Sequence, residues 1–143
     1  MSIDIGLASL CIVLLSGCEA DRTPSVQVYP VSGKVLVDDQ PANGAMVTFH
    51  PAEAVANPRA QRSYATVDDD GNFQLSTYQP ADGAPPGKYA VTISWPGKLP
   101  RGADLTAVPP DRLRGRFISP QKPYKMVTVP EQEIVLDPFE ISR

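Results

Sequence analysis

Residues 31–49 read Val-Ser-Gly-Lys-Val-Leu-Val-Asp-Asp-Gln-Pro-Ala-Asn-Gly-Ala-Met-Val-Thr-Phe, and the period of this stretch decides the fold class. Val31, Gly33, Val35 and Val37 alternate with Ser32 and Lys34, and Ala45, Val47 and Phe49 alternate with Met46, Thr48 and His50. A period of two puts successive side chains on opposite faces, so both runs read as half-buried strands. Between them Asp38 to Gly44 holds Asp-Asp, Pro41 and Asn43-Gly44, residues that tolerate turn dihedrals.

The same period continues outward. Ser63–Val67 and Phe73–Ser76 read as a third and a fourth strand around a hairpin turn at Asp68-Asp69-Asp70-Gly71-Asn72. Tyr89–Trp95 reads as a fifth, with Tyr89, Val91, Ile93 and Trp95 on one face. A sixth is expected at Met126–Val129 and a seventh at Ile134–Ile141. In the last of these, Ile134 and Leu136 differ in parity from Phe139 and Ile141, so a bulge or kink at Asp137-Pro138 would bring them to one face. Residues 96–124 hold six prolines and no clean alternation. They form a long excursion, with a helical turn or short strand near residues 111–118. Short strands with polar alternate faces bury their apolar sides by stacking two sheets. The expected fold is all-β, a single seven-stranded antiparallel β-sandwich spanning residues 29–143.

Length and composition agree. A chain of 143 residues has room for one domain, and 16 Pro with 10 Gly leave little sequence for long helices. The net charge of -3 gives no footprint for nucleic acid. One His and two Cys are too few for most catalytic or metal-site designs, so the expectation is a non-enzymatic protein with no cofactor and no metal.

Ile5 to Leu15 is an uncharged apolar run, too short for a lasting transmembrane helix and suited to a signal h-region. Met1–Asp4 lacks the usual basic residue. The run closes in Leu15-Ser16-Gly17-Cys18, which resembles the lipobox of bacterial lipoproteins. That resemblance implies a signal peptide over residues 1–17, a diacylglyceryl thioether on Cys18, and a new amino terminus open to acylation, palmitate included. Cys11 would leave with the signal, so the mature chain could form no internal disulfide. Two or three acyl chains, at about 0.8 kcal/mol per buried methylene, hold far better than one. The mature protein is expected on the cell membrane or outer membrane, facing periplasm or exterior. Residues 18–28 read as a tether.

Val31-Ser32-Gly33-Lys34-Val35 followed by Gly44-Ala45-Met46-Val47-Thr48-Phe49 resembles the opening of carboxypeptidase regulatory-like and transthyretin-like domains. Thr66 to Leu75 is similar to that family's T-x-x-D-G-x-F-x-L hairpin, and Gly87-Lys88-Tyr89 to its G-x-Y strand entry. With the lipobox, the chain also resembles small lipoproteins of planctomycete-type bacteria. The resemblance implies a prealbumin-like sandwich that serves as a binding, adhesion or folding accessory, with no chemistry of its own. A related branch hydrolyses 5-hydroxyisourate using histidines and a C-terminal Tyr-Arg-Gly-Ser. This chain has only His50 and ends Phe139-Glu140-Ile141-Ser142-Arg143, which excludes that enzyme.

Charge is the least uniform property. Residues 97–125 carry +5, and the rest of the mature chain carries -7. Arg112, Arg114 and Arg116 alternate, so an extended backbone would send all three to one side. Either this is a solvated loop paired with the acidic body, or it receives an anionic lipid, glycan or envelope protein. Asp68, Asp70 and Gly71 resemble the start of a calcium loop, but Thr77 stands where the bidentate Glu is needed, so a turn is expected. His50 reads as a surface residue. Tyr29, Tyr64, Tyr78, Tyr89, Trp95 and Tyr124 are candidates for a sugar-stacking platform or a lipid-facing rim, but aromatics at strand parity, such as Tyr89 and Trp95, read as core, and core is the favoured reading. The expected function is therefore a membrane-anchored envelope lipoprotein with a binding or structural sandwich. The alternatives are a carbohydrate- or calcium-dependent adhesion module and, least favoured, a hydrolase using Asp and Ser.

Overall fold

The computed structural model describes residues 26–53, 62–104 and 106–143. Cys18, the apolar run before it and the tether up to residue 25 lie outside the described residues. Every regular element among the described residues is a strand: β1 (Val31–Val37), β2 (Gln40–Pro41), β3 (Met46–Pro51), β4 (Ser63–Thr66), β5 (Asn72–Gln74), β6 (Gly87–Ser94), β7 (Lys125–Val129), β8 (Ile134–Val135) and β9 (Phe139–Ile141).

The stretch that decided the fold class builds the centre of one sheet. Val35 donates its N–H to the Gly71 carbonyl at 2.8 Å and accepts at its own carbonyl from Ala42 at 3.1 Å. β5 and β2 therefore lie end to end along one side of β1, both antiparallel to it. β2 exists because Asp38 and Asp39 have φ of 49° and 63°, the paired left-handed residues that make a two-residue hairpin turn. Along the other side of β1 run β8 and β9, both parallel to it. The expected all-antiparallel arrangement is thus corrected to a mixed sheet, because strand alternation carries no information on the direction of a distant partner.

The expected seventh strand is two strands, and with β2 the count among the described residues is nine rather than seven. Pro138 has no N–H to give to β1, so pairing stops after Leu136 N–H meets the Ser32 carbonyl at 2.8 Å and resumes at Phe139. The interruption brings half-buried Ile134 and Leu136 and buried Phe139 and Ile141 against the same core.

The second sheet is antiparallel in the order β4-β3-β6-β7. Val47 and Phe49 of β3, Ala65 of β4 and Tyr89, Val91 and Ile93 of β6 face inward and meet Val31, Val35, Val37, Phe73 and Leu75 of the first sheet in one apolar core. Two sheets over a shared core fit the expected β-sandwich. Gly33 is required by this packing: a Cβ there would lie 2.7 Å from the Phe73 ring.

The Asp68–Asn72 turn forms, with Asp68 N–H on the Asn72 carbonyl at 2.9 Å and Gly71 at φ 86°. Its two strands, however, belong to different sheets: β4 pairs with β3 and β5 pairs with β1. The hairpin closes at the turn, and again where Tyr64 and Ser76 exchange backbone bonds of 3.0 and 2.9 Å, and it is open between.

The proline-rich excursion is tied to the edge of β6 beyond the reach of β7. Tyr124 N–H donates to Val91, Phe117 accepts from Ile93, and Arg112 N–H donates to Trp95, all at 2.8–2.9 Å. Leu113, only 1% exposed, sinks from the excursion into the core, worth about 2 kcal/mol as a buried leucine. Phe117 and Tyr124 meet edge-on at 5.3 Å, and Tyr124 continues onto Phe139 at 5.3 Å.

Candidate functional site

The arginine-rich end of the excursion is organised by one carboxylate. Asp111 Oδ1 accepts the N–H of Trp95 at 2.7 Å and of Leu113 at 3.3 Å, and Oδ2 accepts the N–H of Gly115 at 2.7 Å. Arg114 N–H returns to the Asp111 carbonyl at 3.0 Å, and Arg116 N–H to Leu113 at 3.3 Å. This is a pair of tight turns, with Arg114 at φ 58° and Gly115 at φ 70°. The extended backbone expected for Arg112, Arg114 and Arg116 is therefore corrected: prolines upstream and the Asp111 clamp impose turns, and the arginines come together by curvature instead of alternation.

They line one cleft of about 180 Å³ together with Leu113 and Arg143. Arg112 lies flat over Trp95, its guanidinium carbon 3.5 Å from the ring centroid. Arg116 sits 4.8 Å from the Phe117 ring and donates from Nη1 to the Ser142 carbonyl at 2.6 Å. Arg143 is paired with Asp38 through Nε–Oδ2 at 2.7 Å, and its N–H donates to Asp38 Oδ1 at 3.0 Å. The Arg114 side chain makes no hydrogen bond or ion pair among the described residues. That Arg143 guanidinium holds the Asp38 carboxyl below the usual carboxylate range. Arg112 and Arg116 rest on aromatic rings, Arg116 also on a backbone carbonyl, and Asp111 has its oxygens turned onto backbone N–H groups. The cleft thus gathers guanidinium forks, whose planar donors match carboxylate and phosphate oxygens.

Asp111, Trp95 and Arg143 were not singled out for this site in the sequence. Pro110-Asp111 followed by Gly115 carries a weak signal, since Asp favours turn openings. For Arg143, placed by the C-terminal strand, no local signal exists.

The other candidates fall elsewhere. His50 is half-buried on the outer side of β3 with Nε2 2.9 Å from Thr92 Oγ1, and burial, with Arg62 nearby, lowers its pKa. Asp68 Oδ1 accepts the N–H groups of Asp70 and Asn72 at 3.0 and 2.8 Å, so this carboxylate braces its own turn. No group of three or more His, Cys, Asp or Glu is arranged to hold a metal ion among the described residues. Tyr89 and Trp95 are core, Tyr124 is half-buried, and Tyr64 is 56% exposed. Burial pushes the Tyr89 hydroxyl up to about 12, and it donates to the Pro85 carbonyl at 2.7 Å.

No family model matches the chain, and no curated protein does. Among solved structures it is similar to that of a proposed carbohydrate-binding protein from Pseudomonas aeruginosa, at 16% identity and a TM-score of 0.44, over 82% of this chain and 90% of that one. At that score the likeness bears on neither fold nor ligand. No helix among the described residues is long and apolar enough to cross a membrane.

Proposed function

We propose that this chain is a lipid-anchored protein of a bacterial cell envelope, held by Cys18, whose β-sandwich is a non-enzymatic binding module of the transthyretin-like type. It meets anionic partners through Arg112, Arg114 and Arg116. The observation that carries the binding role is the convergence of these side chains with Arg143 on one cleft while Asp111 spends its carboxylate on backbone N–H groups. The anchor rests on the apolar run and the Leu-Ser-Gly-Cys ending.

Opposite charges on the loop and the body make this end of the domain attract an anion that the body repels. Envelope surfaces offer such anions as lipid headgroups, acidic glycans and proteins. Two arms test the reading. Cys18→Ser should move the protein out of the membrane fraction and abolish fatty-acid labelling, and unchanged labelling would reject the anchor. For binding, the Cys18→Ser protein should associate with vesicles containing phosphatidylglycerol at low salt, with attraction fading past about 0.15 M, where the Debye length is about 8 Å. Replacing the three arginines with Gln should abolish that association, and association that persists would reject the arginine face.

A further inference from the structure

The opened hairpin between β4 and β5 leaves a rung of backbone unused. The register is fixed at both ends, by Tyr64 opposite Ser76 and by Asp68 opposite Asn72, so Thr66 and Gln74 stand opposite each other. Their backbone groups face one another across the gap, because Ala65 turns its own to β3 and Val67 to Gly44 and Ala45 just before β3, while Phe73 turns its own to β1 and Leu75 gives its N–H to Val31 and its carbonyl to Gly83. No β-bridge joins Thr66 to Gln74, since each strand is drawn into its own sheet. Two cavities meet at this open rung, both lined by Thr66 and Gln74. One, of about 830 Å³, extends over Ser32, Lys34 and Asn72, and the other, of about 330 Å³, over Tyr64, Tyr78 and Gln79.

From this geometry we propose that the groove is a binding site for a neutral oligosaccharide. The volume of each cavity falls in the size range of ligand sites, and the lining selects among ligands. Gln74, Gln79 and Asn72 each present a donor and an acceptor on one planar group, and Ser32 and Thr66 add hydroxyls that act either way. That is the complement of a chain of sugar hydroxyls, each of which both gives and takes a hydrogen bond. Tyr64 is 56% exposed beside the amides and offers an apolar ring face with a polar rim, against which the carbon face of a sugar ring can lie. An inserted peptide strand is disfavoured because a single rung is open, too few hydrogen bonds to add a strand. An anionic ligand is disfavoured because Lys34 is the only cation among the described residues of the lining, and Asp68 lines the same cavity. The site lies apart from the arginine cleft and does not depend on it.

The test uses the full chain in detergent micelles, titrated separately with maltohexaose, cellohexaose and chitotetraose and followed by the backbone amide resonances. The expected result is that at least one of the three shifts the amides of Thr66, Asn72 and Gln74, with Tyr64→Ala and Gln74→Ala each weakening binding about tenfold, the loss of roughly one well-placed contact. The Arg112/Arg114/Arg116→Gln variant should bind that sugar unchanged. No shift with any of the three at millimolar concentration, or binding undiminished in a Tyr64→Ala/Gln74→Ala double variant that remains folded, would overturn the proposal.

Discussion

The loop from Ser76 to Ala84 and the turns from Asp111 to Ile118 use one local device to different ends. In each, a single aspartate collects three backbone N–H groups: Asp82 takes those of Thr77, Tyr78 and Gln79 at 2.7–3.0 Å, and Asp111 those of Trp95, Leu113 and Gly115. In each, a left-handed residue precedes or is followed by glycine, Ala81 at φ 58° before Gly83, and Arg114 at φ 58° before Gly115. They differ in space and in charge. A Cβ on Gly83 would fall 1.8 Å from the Tyr29 carbonyl oxygen, whereas one on Gly115 would meet Ile118 at an ordinary 3.5 Å. The Asp82 loop is sealed against the chain entering β1 and closes an end of the fold. The Asp111 turns keep room around them and present arginines, so the same clamp there serves to hold charged side chains in place.

The sharpest way to break this comparison is at the two glycines. Gly83→Ala should destabilise the protein by about 3 kcal/mol or more, since backbone must move as well as strain, and Gly115→Ala by about 1 kcal/mol from its dihedral alone. Urea midpoints at constant slope measure both, and equal losses would show that the two loops are equally sealed. Next come the clamps. Asp82→Ala and Asp111→Ala should each cost about 2 kcal/mol, the order expected when several N–H groups lose an acceptor, but only Asp111→Ala should also weaken association with anionic vesicles. A matching loss of binding in Asp82→Ala would mean that general loosening, not the arginine arrangement, controls it.

Smaller effects sharpen the picture of the cleft. Arg112→Gln should cost about 0.5–1 kcal/mol through the lost stacking, and should change the fluorescence of Trp95, the single tryptophan, while leaving the Asp82 loop untouched. The smallest effect belongs to Asp38. Its carboxyl titrates below its ordinary value of 3.8, first because Arg143 donates a side-chain hydrogen bond to it. A depressed carboxyl contributes stability that is complete above that ordinary value and is lost as pH falls through the folded one. The contribution of the pairing should therefore be complete and independent of pH near neutrality and be lost only below 3.8, and carbon-13 titration should show the shift relaxing toward the ordinary value in Arg143→Gln.

Much of this architecture was legible because it is local. Alternation in Val31–Val37, Met46–Pro51 and Gly87–Ser94 reports which face each residue takes, and the core residues there follow it. Asp70-Gly71 announced its turn, and Asp137-Pro138 its interruption. What was not legible is what depends on distant partners. The parallel course of β8 and β9 beside β1, and the division of β4 and β5 between two sheets, come from pairings that no short window contains. The arginine cleft was half legible: the charge excess named Arg112, Arg114 and Arg116, but the spacing suggested the wrong backbone. Arg143 joins them only because β9 lies beside β1, which delivers the last residue next to Asp38.

That same placement of β8 and β9 fixes an order of events during biogenesis. β1 is among the first segments of the domain to be synthesised, yet one whole side of it is completed by residues 134–141, about a hundred positions later. Contacts so remote in sequence form late and slow folding, and until they form β1 keeps an open edge to which other chains can pair. The domain can reach its final state only after its last strand has been delivered. For the same reason, deleting residues 134–143 should leave a product that aggregates, not a slightly smaller version of the same protein.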